Sequence, residues 1–438
     1  MLRLVFGGGV TALVLAASHA LADEPIASLD PEAPPPERWE PGLLPVLSYD
    51  SDLGFGFGAI GVLARFEPGF DPYRLRLQAA LQATVAVDAA GDPHVPYHDD
   101  YVRMDMPGLL DDRVRLQGEI AFNKLSTTGY YGFGQRSLRV DFPDEVLETS
   151  ENARRFYEYD KMALSLDFFA RFTPFKIERP GEDPRLELYD GTHVAYYWVE
   201  RYPASKLEGD EQLRFQDSDQ GRALRELLHG TSDHPRIAKS FGILWDDRDH
   251  EFAPDSGSLT EVGVRLSPGV TDSLSYSRIH FGTRWFAPIL RNYLVFAHRA
   301  AFDVLAGHPP VDEMSQLGVL FPEDFGGSTT LRGVPLRRFH GRMKLLGQVE
   351  LRGSFPWFEV FKQRFQIGLT GFVDAGHIWA DFVDQPSLDV DFERVPFTLG
   401  TGGGLRIRWA DTFILRVDGA YSPTEQTPGV YLDVGHAF

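Results

Sequence analysis

The run from Tyr73 to Val87 restricts the possible folds more than any other stretch. Tyr73, Leu75, Leu77, Ala79, Leu81, Ala83, Val85 and Val87 fall on one face, and Arg74, Arg76, Gln78, Gln82 and Thr84 on the other. A period of two kept over fifteen residues is a strand. That length exceeds the usual strand of a soluble domain and suits one that crosses a membrane at a tilt. Alternating segments recur near 43–50, 54–67, 98–107, 112–126, 155–174, 185–202, 237–249, 257–270, 274–288 and 292–306, then near 341–356, 363–380, 394–409, 411–423 and 429–438. With 73–87 they make sixteen strands, an even number as a closed single-chain bacterial barrel requires. The expected fold is all-β: a transmembrane antiparallel β-barrel of about sixteen strands, with one long surface loop folded into the lumen.

The N-terminus is consistent with a barrel in the outer membrane. Arg3 precedes an apolar, small-residue run from Leu4 to Ala17, and Ala20-Leu21-Ala22 supplies a cleavage pattern. Residues 1–22 therefore read as an export signal. Residues 23–42, with Pro-Glu-Ala-Pro-Pro-Pro-Glu, read as an extended periplasmic linker, and 43–438 as the barrel. No other stretch has the roughly 18 consecutive apolar residues of a spanning helix. The absence of cysteine excludes a disulfide scaffold. A net charge of −20 without a basic run argues against nucleic acid as a partner.

Connection lengths give an independent test. If the first strand rises from the periplasm, alternate connections should be short. Those near 68–71, 108–111, 250–256, 289–291, 357–362 and 410 are short, and the one near 175–184 is somewhat longer. The stretches 127–154, 203–236, 307–340 and 381–393 are long. Both termini are then expected on the periplasmic side. Ser218-Asp219-Gln220 is expected to cap a short helix reaching Leu228, with Gly230 as its stop, as part of a lid over the barrel mouth.

The long loop at 307–340 carries Phe325-Gly326-Gly327-Ser328-Thr329-Thr330-Leu331-Arg332-Gly333-Val334-Pro335, which no regular helix accommodates. The strands after it have charged inner faces. Gln348, Glu350 and Arg352 share one face. Phe372, Asp374 and Gly376 share another, and Arg394, Arg406 and Arg408 lie beside Gly400, Gly402 and Gly404. Arg416 and Asp418 follow. Two readings fit. The charges line a water-filled pore, or Arg332 folds inward and pairs with Glu350 and Asp374, with the glycines making room for the loop.

Enzymatic and metal readings find little support. Gly54-x-Gly56-x-Gly58 and Gly402-Gly403-Gly404 lack the context of a phosphate loop, and no Gly-x-Ser-x-Gly elbow occurs. Asp246, Asp247 and Asp249 read as a polar strand end rather than a cation site. His94, His98, His229 and His234 lack a convincing third ligand. The chain is expected to be neither an enzyme nor a metal or cofactor protein.

The last third resembles the BamA/TamA superfamily of sixteen-stranded outer-membrane barrels, the bacterial surface antigen family. The residues that carry the resemblance are Gly326-Gly327 leading to Leu331-Arg332-Gly333, then Glu350-Leu351-Arg352, Phe372-Val373-Asp374-Ala375-Gly376, Gly402-Gly403-Gly404-Leu405-Arg406, and the ending Gly435-His436-Ala437-Phe438. Asp246-Asp247-Arg248-Asp249 with Phe252, Pro254 and Gly257, and Tyr130-Tyr131-Gly132-Phe133-Gly134, are similar to further family phrases. The resemblance implies a lumenal ion pair of Arg332 with Glu350 and Asp374, followed by Gly333. It also implies a C-terminal assembly signal at Gly435 and Phe438. Two departures stand out: Val334 occupies a position that is usually aromatic, and no periplasmic POTRA modules are expected before the barrel.

The function expected is insertion or translocation of polypeptide, or of lipid, at the outer membrane through a weak seam between the first and last strands. The first contains Pro45, which cannot donate a ladder hydrogen bond, and the last contains Gly435. The alternative is a passive pore or structural barrel, since fold does not fix function. The partners expected are outer-membrane lipid, the machinery that inserts the barrel itself, and a polypeptide client.

Overall fold

The computed structural model of the protein describes residues 37–67, 73–87, 93–135, 137, 155–175, 185–250, 253–270, 274–290, 293–360, 363–388, 397–409 and 413–438, together with Ala12 and Leu13. The rest of the expected export signal, most of the linker, Phe252 and Arg394 lie outside the described residues.

Sixteen long antiparallel strands close into a barrel. They are β1 (Arg38–Asp50), β2 (Gly54–Phe66), β3 (Leu75–Val87), β4 (Pro93–Gly108), β5 (Val114–Gly129), β6 (Glu158–Phe172), β7 (Arg185–Arg201) and β8 (His234–Asp246). The second half holds β9 (Gly257–Ser267), β10 (Tyr276–Leu290), β11 (Leu294–Gly307), β12 (Met343–Ser354), β13 (Gln363–Trp379), β14 (Thr398–Trp409), β15 (Phe413–Ser422) and β16 (Thr427–Val434). Each strand pairs with the next in sequence. One rim carries short connections, such as β4–β5 and β10–β11. The other carries the long ones, after β5, β7, β11 and β13.

The faces are those of a membrane barrel and the reverse of a soluble core. On β3, Arg76, Gln78, Gln82 and Thr84 are buried, while Leu77 and Leu81 are exposed. On β10, Arg278, His280 and Arg284 are buried, while Ile279, Phe281 and Trp285 are exposed. A strand with its polar face enclosed and its apolar face outward is stable only with lipid on the outside.

Three features refine or correct the sequence expectation. First, the strand expected at 43–50 begins at Arg38, so the linker assigned to 23–42 ends earlier and the barrel starts before residue 43. β1 pairs with β2 from Arg38↔Phe66 to Asp50↔Gly54. Pro41 and Pro45 are tolerated because β1 is a barrel edge over most of its length, and an edge needs no donor on its free side.

Second, closure is short. Among the described residues β1 meets β16 at Tyr49↔Leu432 and Asp50↔Tyr431 alone. Next to these, Ser48 and Leu47 pair with Ala12 and Leu13. Third, the strand expected at 429–438 ends at Val434. Gly435 adopts φ 91, a conformation that favours glycine, and turns the chain into the lumen. The sequence puts Phe438 at the end of the strand expected at 429–438. Instead it packs on Phe286, Val295 and Ala297 inside the barrel, and Arg352 donates to its backbone oxygen at 2.9 Å.

The lid follows its sequence signals. In the loop after β7, α1 (Lys206–Leu213) and α2 (Asp219–Leu227) are capped by the hydroxyls of Ser205 and Ser218, which accept from the amides of Glu208 and Gly221. Leu207, Leu224, Leu227 and Leu228 pack with Tyr130, Phe133 and Met314. The Tyr130–Gly134 phrase therefore seats the loop behind the lid. At the short-turn rim, Arg248 bonds the Asp246 carboxylate. Asp247 accepts from the Ser258 amide, and Asp249 from the amides of Asp255 and Ser256. These carboxylates stitch a turn, as a polar strand end does.

Candidate functional site: the lumenal plug and the seam

The segment between β11 and β12 enters the lumen as a plug. Its apolar residues make a core of their own: Phe325, Leu331, Val334 and Phe339 pack with Leu317, Leu346 and Ile378. Val334, at the position where an aromatic residue is usual, is fully buried there. The aromatic surface lies in the wall instead, where the Arg332 guanidinium sits 3.4 Å from the centroid of the Phe372 ring.

Arg332 reaches the two carboxylates expected. Its Nε and Nη2 donate to Asp374 at 2.8 and 2.9 Å, its backbone amide donates to Asp374 at 3.1 Å, and Nη1 donates to Glu350 at 2.7 Å. A third partner went unassigned in the sequence: Nη1 also reaches Asp418 at 3.4 Å. All four side chains are inaccessible to solvent. Burial opposes charge on Arg332, but Asp374 and Glu350 outweigh it and hold the guanidinium more basic than usual.

The remaining lumen charges complete a neutral cluster. Arg352 donates to Glu350 at 2.7 Å, Arg406 to Asp418 at 2.5 Å, and Arg416 to Asp433. Arg332, Arg352, Arg406 and Arg416 thus balance Glu350, Asp374, Asp418 and Asp433. Arg408 stands apart, stacked over Trp357 and donating to Gln366 at 3.3 Å. The inner glycines make the fit possible: a Cβ on Gly400 would lie 2.1 Å from the Arg332 carbonyl oxygen. The structure thus places Arg332 inward against Glu350 and Asp374, the arrangement of the second sequence reading.

The plug also brackets the seam. On the β16 side, the Gly333 amide donates to the Tyr431 hydroxyl, Thr427 donates to the Gly333 carbonyl, and Ser328 donates to Asp433. On the β1 side, the Leu336 amide donates to Asp52 at 3.1 Å, and Leu336 packs with Leu53. The two strands that barely pair with each other are therefore both tied to one loop. Asp52 gave no sequence signal, because a turn residue has no periodic context.

Burial raises the Asp52 carboxyl from 3.8 to about 6, against the lowering effect of the Leu336 amide. The folded protein then holds this proton more tightly than the unfolded chain, and the fold gains stability as pH falls from 6 toward 3.8. Between about pH 7 and pH 5 the natural protein should gain more heat resistance than Asp52→Asn, which keeps an acceptor for the amide but cannot titrate. Heat-modified electrophoretic migration reads the difference. Identical pH responses would remove Asp52 from the account.

Comparisons with known proteins agree with this architecture. BamA from Haemophilus ducreyi, in a crystal structure lacking POTRA domains 1–3, superposes with a TM-score of 0.54 at 11% identity. The match covers 91% of this chain and 70% of that one. CdiB from Escherichia coli superposes with a TM-score of 0.56 at 12% identity, covering 92% of this chain and 63% of that one. This chain therefore spans less than two thirds of the CdiB chain. At such identities the likeness is one of fold. No curated protein sequence matches the chain. The Omp85 superfamily domain matches residues 102–438, which take in the plug, the carboxylates Glu350, Asp374 and Asp418 that Arg332 meets, and the last strand. With the barrel and the Arg332 cluster in place, that match makes this outer-membrane β-barrel a member of the Omp85 superfamily.

Proposed function

We propose that the protein is a non-enzymatic insertase that passes polypeptide into the outer membrane through the junction of β1 and β16. The observation that carries this reading is the two-pair seam, beside an otherwise continuous ladder. Among the described residues β1 below Leu47 presents an edge, and an edge is a template for a further strand. In this reading the short-turn rim and both termini face the periplasm, and the lid of α1 and α2 faces outward. Lipid surrounds the exposed apolar faces, an unfolded barrel polypeptide is the client, and cellular machinery inserts the protein itself. A passive pore is the weaker reading, since the plug occupies the lumen.

The test is reconstitution. Liposomes carrying the purified protein are mixed with a urea-denatured outer-membrane barrel, and its heat-modifiable folded fraction is followed over time. Faster folding than in empty liposomes is expected. Equal rates would leave a structural barrel without assembly activity.

A further inference from the structure

The cluster around Arg332 holds only the tip of the plug. The limb that enters the barrel is held elsewhere, with the signs reversed. Here the loop supplies anions, Asp312 and Glu313, and the opposite wall supplies cations. Arg236 of β8 donates to Asp312 at 2.7 Å and to Glu313 at 2.9 Å. Lys161 of β6 donates to Asp312 at 3.1 Å. Arg278 of β10 donates at 2.6 Å to the Glu313 carboxylate and at 2.8 Å to the backbone oxygens of Glu313 and Gly318. Arg236 and Arg278, Asp312 and Glu313 are all buried. Next to them the wall accepts the loop's own amides, with Asp303 bonding Gly318 and Glu261 bonding Leu320.

The two sites lie on different halves of the barrel. The Arg332 cluster uses β12, β13 and β15, beside the seam. The Asp312–Glu313 cluster uses β6, β8, β9 and β10, across the lumen. A loop fixed at both ends of a span does not leave when one end is cut. Buried charge pairs are also costly to break singly, because the partner is left uncompensated. Burial alone would raise the Glu313 carboxyl, but Arg278, Arg236 and Arg265 outweigh it and hold it at about 2, so the anchor is charged throughout the physiological range.

We infer that Asp312 and Glu313 form a second, charge-reversed anchor that keeps the lumen closed independently of Arg332. The tip at Arg332 can then loosen at the seam while the limb stays seated. On the insertase reading, which this point rests on, a client's path runs along the seam rather than through the barrel. A cavity of about 200 Å³ remains beside the limb, lined by residues including Arg103, Glu119, Asp167 and His193. The anchored loop bounds it on one side through Asp312, Glu313 and Leu320.

The experiment measures conductance in planar bilayers for the natural chain, Arg332→Ala, Asp312→Asn with Glu313→Gln, and all three changes together. Each partial variant should keep the low conductance of the plugged barrel. The combined variant should show a multi-fold rise toward that of an open sixteen-stranded pore. If Arg332→Ala alone reaches the combined level, or the combined variant stays at the natural level, the second anchor is wrong. A reporter that does not need the combined variant to fold is Ser315→Cys, buried on the limb next to Asp312. It should stay as unreactive to a maleimide with Arg332→Ala as without it, and strong labelling in that background would overturn the inference. Either result leaves the reconstitution assay to judge the insertase reading separately.

Discussion

Replacing Arg332 by alanine should release the plug tip from the seam and destabilise the barrel by about 3–5 kcal/mol, the cost of breaking a buried ion pair from one side. The loss falls unevenly on its three partners. Glu350 keeps Arg352 and Asp418 keeps Arg406, but Asp374 is left with the Gln348 amide at 3.2 Å. Asp374→Asn in the same chain should therefore recover part of the loss, because it removes the stranded charge. Arg332→Lys should recover less than charge alone suggests, since an ammonium cannot supply the two-pronged contact to Asp374. The readouts are protease cleavage within 328–336 and the temperature of heat-modified migration. Both should change together, because the seam loses the hydrogen bonds that Gly333 makes to Tyr431 and Thr427. Cleavage and migration matching the natural protein would show that the Arg332 cluster holds nothing in place.

Closing the seam covalently should abolish the cellular function. Tyr49 and Leu432 are directly paired. Cα atoms of opposed antiparallel residues lie about 4.5–5.5 Å apart, within the span of about 4.4–6.8 Å that a disulfide accepts. The chain has no cysteine of its own, so Tyr49→Cys with Leu432→Cys can form a single defined bond. Cells depending on the oxidised protein should lose outer-membrane assembly, and a reductant should restore it. Leu47→Cys with Phe57→Cys is the control: it locks β1 to β2, which are continuously paired, and leaves the seam free. Full activity of the oxidised seam variant would mean that the seam need not open, and the insertase reading would fall with it.

The amino-acid sequence by itself determined the barrel, its strand number and the faces of the strand at 73–87 and of several strands after residue 341. The reason is local: alternation with period two states which side chains share a face, and Arg76, Gln78 and Gln82 against Leu77 and Leu81 suffice to place one strand. The same parity brought Glu350 and Asp374 inward, but spacing left a charged pore and a pairing with Arg332 equally open, and the family resemblance was what implied the pairing. Parity does not state which inward groups meet across a lumen. That Asp418 also reaches Arg332, and that Asp312 and Glu313 meet Arg236 and Arg278, depends on how far each strand is slid along its neighbour and on the path of a long irregular loop. The seam was decided in the same way. Pro45 marked β1 as an edge, but tertiary structure decided that the edge begins at Arg38, that β16 stops at Val434, and that Phe438 turns inward onto Phe286. An apolar side chain at a strand end can face lipid or a lumenal apolar patch at similar cost, so only the folded barrel, with Arg352 at the chain terminus, selects between them.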